Sequence, residues 1–177
     1  MNAITIKQPW AWLACNGIKP IENRTWKLPK KYFGQRILIH AGADKALDKM
    51  PLNSIYSNEQ LKELLFLFTE IELCKMTFAH GAIIGAAQIT DCVTNHPSVW
   101  AMEGYYHWVL EFPQLFSEPI PAKGKLSFWD YPNILAKTEK EYGEPFCHCQ
   151  LPVDESSQVY SIFNQYRCHY CGGIWYK

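Results

Sequence analysis

Apolar and polar positions alternate with a period of two over several short stretches of this chain, and with a helical period over one long one. AITIKQ (3–8) predicts a first short strand. PWAWLACNG (9–17) predicts a helix of about two turns, with Pro9 at the first helical position and Gly17 at the C-terminal cap. The chain then reads as extended from Lys19 to Trp26. Strand side chains alternate, so Glu22, Arg24 and Trp26 would share one face. QRILIHA (35–41) is a second apolar strand between Gly34 and Gly42. Residues 58–77 predict one long helix, opened by a Ser57 and Gln60 capping box and carrying Leu61, Leu64, Leu65 and Phe68, then Ile71 or Glu72, at helical spacing. GAIIGAAQITDCV (81–93) predicts a long strand with Gly85 at a bend, YHWVLEF (106–112) another, and GKLSFWD (124–130) the closing one. Many short strands, one early helix and one helical insertion predict an α+β, mainly β chain: a small, partly open β-barrel.

The polar run NILAKTEKEYGEP (133–145) separates the barrel from a C-terminal segment. A boundary near residue 136 is expected, giving a domain over 1–135, with its insertion at 44–80, and a tail over 136–177. Neither an internal repeat nor a low-complexity tract is visible. A length of 177 residues suits one principal domain with a small appendage. Apolar residues at 48% against 19% charged exclude a disordered chain.

The formal net charge of zero hides an asymmetry. Residues 1–40 hold seven Lys or Arg against Glu22 alone, and the remainder holds ten basic residues against sixteen acidic. A positive field this local argues against a long duplex-tracking surface and leaves room for a short single strand or a nucleotide. The first residues show no charged n-region leading into an apolar run, and no stretch approaches the roughly 18 apolar residues of a membrane span. A cytoplasmic protein is expected, in which seven cysteines are thiols or metal ligands and not a disulfide framework.

Four of those cysteines fall in two close pairs, Cys147 with Cys149 and Cys168 with Cys171. The arrangement is that of a ribbon-type structural zinc site, with Gly172 and Gly173 letting the backbone curl around the sulfurs. Because the first pair is C-x-C, His148 or His169 could replace one thiol. Four protein ligands leave no open position for a catalytic water. About forty residues with few aliphatics cannot build a core unaided, so metal binding would supply most of their folding free energy. Such a tail could widen a binding surface or recruit a protein partner. Cys15, Cys74 and Cys92 sit in apolar surroundings and read as core residues.

IKQPWAWLACNGIKPIENRTW, together with GQRILIHAG, GAIIGAAQITDC, YHWVL and PIPAKGKLSFW in that order, resembles the ASCH family over about residues 4–130. That family lies in the PUA-like superfamily of small β-barrels, many of which bind RNA or modified bases. The resemblance implies a cleft between barrel and helix, lined by a G-x-K-x-x-E-x-R pattern: here Gly17, Lys19, Glu22 and Arg24. Arg24 suits a fork on phosphate or carboxylate, Lys19 a point charge, and Glu22 acceptance from an exocyclic amine. Glu22 and Arg24 could equally pair with each other and hold the barrel.

Further candidates for the cleft are Trp26, Trp10, His40 and Lys123. Trp10 and Trp12 cannot both face it, while Trp26, Trp108 and Trp129 serve either stacking or packing. Lys123 and Lys125 flank Gly124 in a turn that would touch phosphate if it neighbours the cleft. The expected ligand is single-stranded RNA, a nucleotide or a nucleoside.

Some ASCH-like proteins are amidohydrolases of acetylcytidine, with a pattern like G-x-K-T-x-T-x-R. Pro20 and Glu22 occupy the two Thr positions here, so the hydroxyl is missing. Glu22 as general base with Lys19 as oxyanion partner is the alternative route to such a hydrolase. Asp91 is a further acid without an aligned role. Ribonuclease activity and a protein-interaction module complete the alternatives.

Overall fold

The computed structural model describes residues 1–132, 165–167 and 174–176. It groups into two units, Met1–Tyr131 and Pro132–Lys177. In the first, six strands form one sheet in the order β2-β5-β4-β3-β1-β6: β1 Asn2–Ile6, β2 Ile21–Arg24, β3 Arg36–Ala41, β4 Ala82–Val93, β5 Tyr106–Pro121 and β6 Phe128–Asp130. Only the β1–β3 pair is parallel. In the second, β7 (Gln165–Arg167) pairs antiparallel with β8 (Ile174–Tyr176). Cys147, Cys149, Cys168 and Cys171, and with them the expected zinc site, lie outside the described residues.

The sheet curls because its apolar positions on alternate sites must share one interior. Ile4 and Ile6, Ile37 and Ile39, Ile84 and Ile89 all bury into one core with Trp108 and Leu110. The curl is nearly complete. Trp108 on β5, one strand in from one edge, and Phe128 on β6, at the other edge, stack at 5.2 Å with their planes 8° apart. Among the described residues no ladder joins β2 to β6, so the barrel keeps one open seam.

Helix α1 (Trp10–Cys15) plugs the barrel and joins it to the insertion. Its Ala11, Ala14 and Cys15 face the barrel core, and Leu13 faces a second cluster with Ile18, Ile21, Tyr56, Leu64, Phe68, Leu73 and Trp100. The Gln8 side chain accepts from the Trp12 N–H at 3.0 Å, which satisfies a donor at the helix start. Gly17, at φ +74°, lets the chain turn out of the helix where a side chain would be strained. Burial pushes the Cys15 thiol far up from its ordinary range, only partly offset by Arg36, so it is an inert core group.

Four expected elements change, and Cys74, expected in the core, is exposed. The single helix over 58–77 is two, α3 (Asn58–Leu67) and α4 (Glu70–Lys75), with a preceding short α2 at Leu52–Ile55. Phe68 leaves the helix to bury in the second cluster, and Thr69 then starts a new capping box with Glu72. The strand expected over 19–26 covers only Ile21–Arg24, so Trp26 lies beyond it. The strand expected to stop at 112 runs on to Pro121, because Phe112 at φ +49° and register shifts beside Gly85 and Gln88 bend it around the barrel instead of ending it. The closing strand is shorter than expected, Phe128–Asp130, because Ser127 sits at φ +59°.

Gly85 is the position where helix and sheet approach most closely. A Cβ there would overlap the Gln114 carbonyl and lie 2.6 Å from Cys15 Sγ. Gly85→Ala should therefore lose about 1–3 kcal/mol or more through overpacking. Gly34→Ala, with open space around it but φ +70°, should lose only about 1–2 kcal/mol from backbone conformation. Urea denaturation of the two variants checks the order.

Candidate functional site

Lys19, Glu22 and Arg24 meet at the seam, for a reason local to the chain. After α1 the Ile18 and Lys19 N–H groups both donate to the Leu13 carbonyl, at 3.0 and 3.2 Å, which folds the exit tightly back. β2 then enters the sheet in register with β5, Glu22 opposite Trp108 and Arg24 opposite Tyr106. Directly paired residues point to the same face, so both charged side chains follow Trp108 into the barrel. Charges that enter a dry interior must find partners.

They find each other. Lys19 Nζ donates to Glu22 Oε2 at 2.9 Å and to the Ile21 carbonyl at 2.6 Å. Glu22 Oε1 lies 3.1 Å from Arg24 Nε, a charge contact off the N–H direction and so not a hydrogen bond. Lys19 is 3% exposed and Glu22 8%, whereas the Arg24 side chain keeps 21% of its surface. Arg24 Nη2 donates to the Thr5 carbonyl on β1 at 2.9 Å, crossing from one edge of the sheet to the strand beside the other. Its guanidinium lies 5.7 Å from the centre of the Trp108 ring.

Aromatic rings line the same place. Trp26 meets Trp108 edge-on at 4.6 Å and Phe128 at 6.1 Å, and Tyr32 stacks on Phe128 at 3.6 Å. Two buried donors in this cluster, Arg24 Nε and Trp108 Nε1, have no hydrogen-bond acceptor among the described residues. Orphaned buried donors are uncommon, and ligand or water oxygens are the usual partners.

The structure thus brings together Lys19, Glu22, Arg24 and Trp26 from the sequence candidates. It does not bring His40 or Lys123 to them. His40 Nε2 lies 2.9 Å from the Ala122 carbonyl, and the buried ring packs edge-on against Trp129 and beneath Gly124. Lys123 is exposed, with no contact to the charged cluster. Trp10 is half-buried against both core clusters, and Trp12 packs on Phe68 and Phe78. Thr5 and Phe128 are the site residues the sequence did not single out, and Trp108, which the sequence leaves open between stacking and packing, lies with them. Strand register connects Trp108 to Glu22, the Arg24 hydrogen bond connects Thr5, and the ring stack connects Phe128. Among the described residues no cluster of three or more His, Cys, Asp or Glu could hold a metal, and no helix is long and apolar enough to cross a membrane.

Comparison with known proteins adds one family. The family model described as "ASCH domain" matches residues 4–120, well over half of the chain. A solved structure, "Crystal structure of ASCH from Zymomonas mobilis", is similar at 14% identity and a TM-score of 0.47, covering 79% of this chain and 93% of its own. No curated protein matches at a significant level.

The ion network makes a stability prediction. Glu22→Ala leaves the Lys19 ammonium buried without a counter-charge and should lose about 3–5 kcal/mol. The double variant Glu22→Leu with Lys19→Met removes both charges and should recover most of that loss. Equal destabilisation of the two proteins in urea would contradict this account.

Proposed function

The chain belongs to the ASCH domain family, and from that premise we propose that the seam beside Arg24 binds a nucleotide or a nucleobase within RNA. The family is proposed to bind RNA. The observation that carries the reading is the combination of a partly exposed guanidinium with the half-buried Trp26 ring beside it and two donors that lack protein acceptors among the described residues. Aromatic faces accept bases, and a guanidinium fork accepts phosphate or a base edge. Glu22 holds Lys19 and Arg24 in place.

Amide hydrolysis is the weaker reading of the same residues. Both Glu22 oxygens already face cations, so a general-base role would require one of those contacts to open. A protein-interaction role has its own support in Leu65, Phe66 and Ile71, all exposed on α3 and α4.

For the tail, we propose a structural zinc held by Cys147, Cys149, Cys168 and Cys171. The strands that flank the second pair in sequence, β7 and β8, pair with each other through Arg167 and Ile174. Paired strands on either side of Cys168 and Cys171 in sequence suit two thiolates on one metal.

Ligand-dependent thermal stabilisation tests the first proposal. Short single-stranded RNA or nucleoside monophosphates at a hundred times their dissociation constant should stabilise the protein by about 2.7 kcal/mol, and Arg24→Ala should abolish the shift. Acetate release from acetylcytidine would replace this reading with the hydrolase. Absence of any nucleic-acid or nucleoside binding would favour a protein partner. For the tail, metal analysis should find about one zinc per chain, and chelation should unfold the segment while the barrel's cooperative transition persists.

A further inference from the structure

The connection from β2 to β3 leaves the seam directly after Arg24 and is held down at alternate points. Trp26 packs edge-on against Trp108. Leu28 is buried, with its N–H 3.5 Å from Cys92 Sγ. Tyr32 closes a short 3-10 turn, Lys30–Tyr32, and stacks on Phe128, while the Gly34 N–H donates to the Ile89 carbonyl at 2.8 Å. With its apolar residues committed inward, the segment presents Lys27, Lys30, Lys31 and Phe33 outward.

Those four outward residues have few obligations of their own. None of the three lysines belongs to an ion pair among the described residues. Lys31 Nζ lies 4.7 Å over the Tyr32 ring, which orients it without neutralising it. Phe33 is 39% exposed although the core lies beside it. Uncompensated cations interleaved with an exposed ring, on a backbone anchored to the site, match a single strand better than an acidic protein or an anionic membrane. Each nucleotide offers both a charge and a flat face, whereas a carboxylate or a headgroup offers only the charge. Three cations are also too few to hold a duplex by counter-ion release.

We propose that residues 27–33 form a backbone track for single-stranded nucleic acid, so that the seam takes a nucleotide within an oligonucleotide and not a free nucleoside. The inference rests on the reading of the seam as a nucleotide site. Lys27, Lys30 and Lys31 contact successive phosphates, and Phe33 stacks a base beyond the one held at Arg24.

Titration of a labelled single-stranded RNA of about eight nucleotides, a typical length for such surfaces, tests it across a series of salt concentrations. Nucleoside monophosphate binding is measured in parallel by thermal shift. The triple variant Lys27→Ala, Lys30→Ala, Lys31→Ala should bind the oligonucleotide at least about tenfold more weakly at low salt, with the slope of log affinity against log salt reduced by about two. Phe33→Ala should weaken it about fivefold or more. Both variants should keep the wild-type melting temperature, and neither should change the response to monophosphates. Unchanged oligonucleotide affinity in the triple variant, with monophosphate binding intact, overturns the track and leaves the seam standing. Loss of both kinds of binding in the wild-type protein overturns the track and the seam together. Equally strong binding of polyglutamate or anionic vesicles, indifferent to Phe33, also overturns the track by making it a general anion patch.

Discussion

A six-stranded sheet that curls until its ends meet, yet cannot pair them, has to close by other means. β2 and β6 are both edge strands. The gap is spanned by one aromatic stack, Trp108 on Phe128, and one guanidinium, Arg24, bonded to the Thr5 carbonyl. Backbone pairing would have given a sealed barrel. Side chains give a seam with polar groups at its lip.

That substitution explains why charge sits in the interior. Arg24 can cross the gap only from the inward face of β2, and a half-buried guanidinium gains from an anion beside it, which Glu22 supplies. Lys19 holds the other Glu22 oxygen. The tight turn after α1 aims Lys19 there, so the helix plug and the seam are one mechanical unit. Closure draws on the same three side chains that the proposed site uses, so a substitution in any of them must be read for stability before it is read for binding.

The insertion plays a different part. Its helices do not extend the sheet; they cover the outer side of α1 through Leu64, Phe68 and Leu73, which pack with Trp100 from the β4–β5 connection. Its other side leaves Phe66 and Ile71 in water. The buried charge network therefore lies with the segments before residue 41 and the strands that pair with them. The early excess of Lys and Arg is concentrated in that same part of the chain.

Local order was legible in the sequence wherever a short-range rule governs it. Alternation found the apolar strands, Ser57 with Gln60 marked the start of α3, and Gly17 marked the exit from α1. The pairing of Glu22 with its neighbouring cations was visible as a possibility, since Lys19, Glu22 and Arg24 lie within six residues. Even the break between α3 and α4 had a signal in Thr69 and Glu72, but Phe68 at a helical position masked it until burial in the second cluster drew that ring out of the helix. Register was beyond the reach of the sequence. That Glu22 faces Trp108, that Phe128 arrives from the far edge to stack there, and that His40 turns instead to Ala122 all depend on how far a curled sheet travels before its ends meet. Spacing along a chain carries no record of that distance, because ladder pairing and bulges such as those beside Gly85 set it in three dimensions.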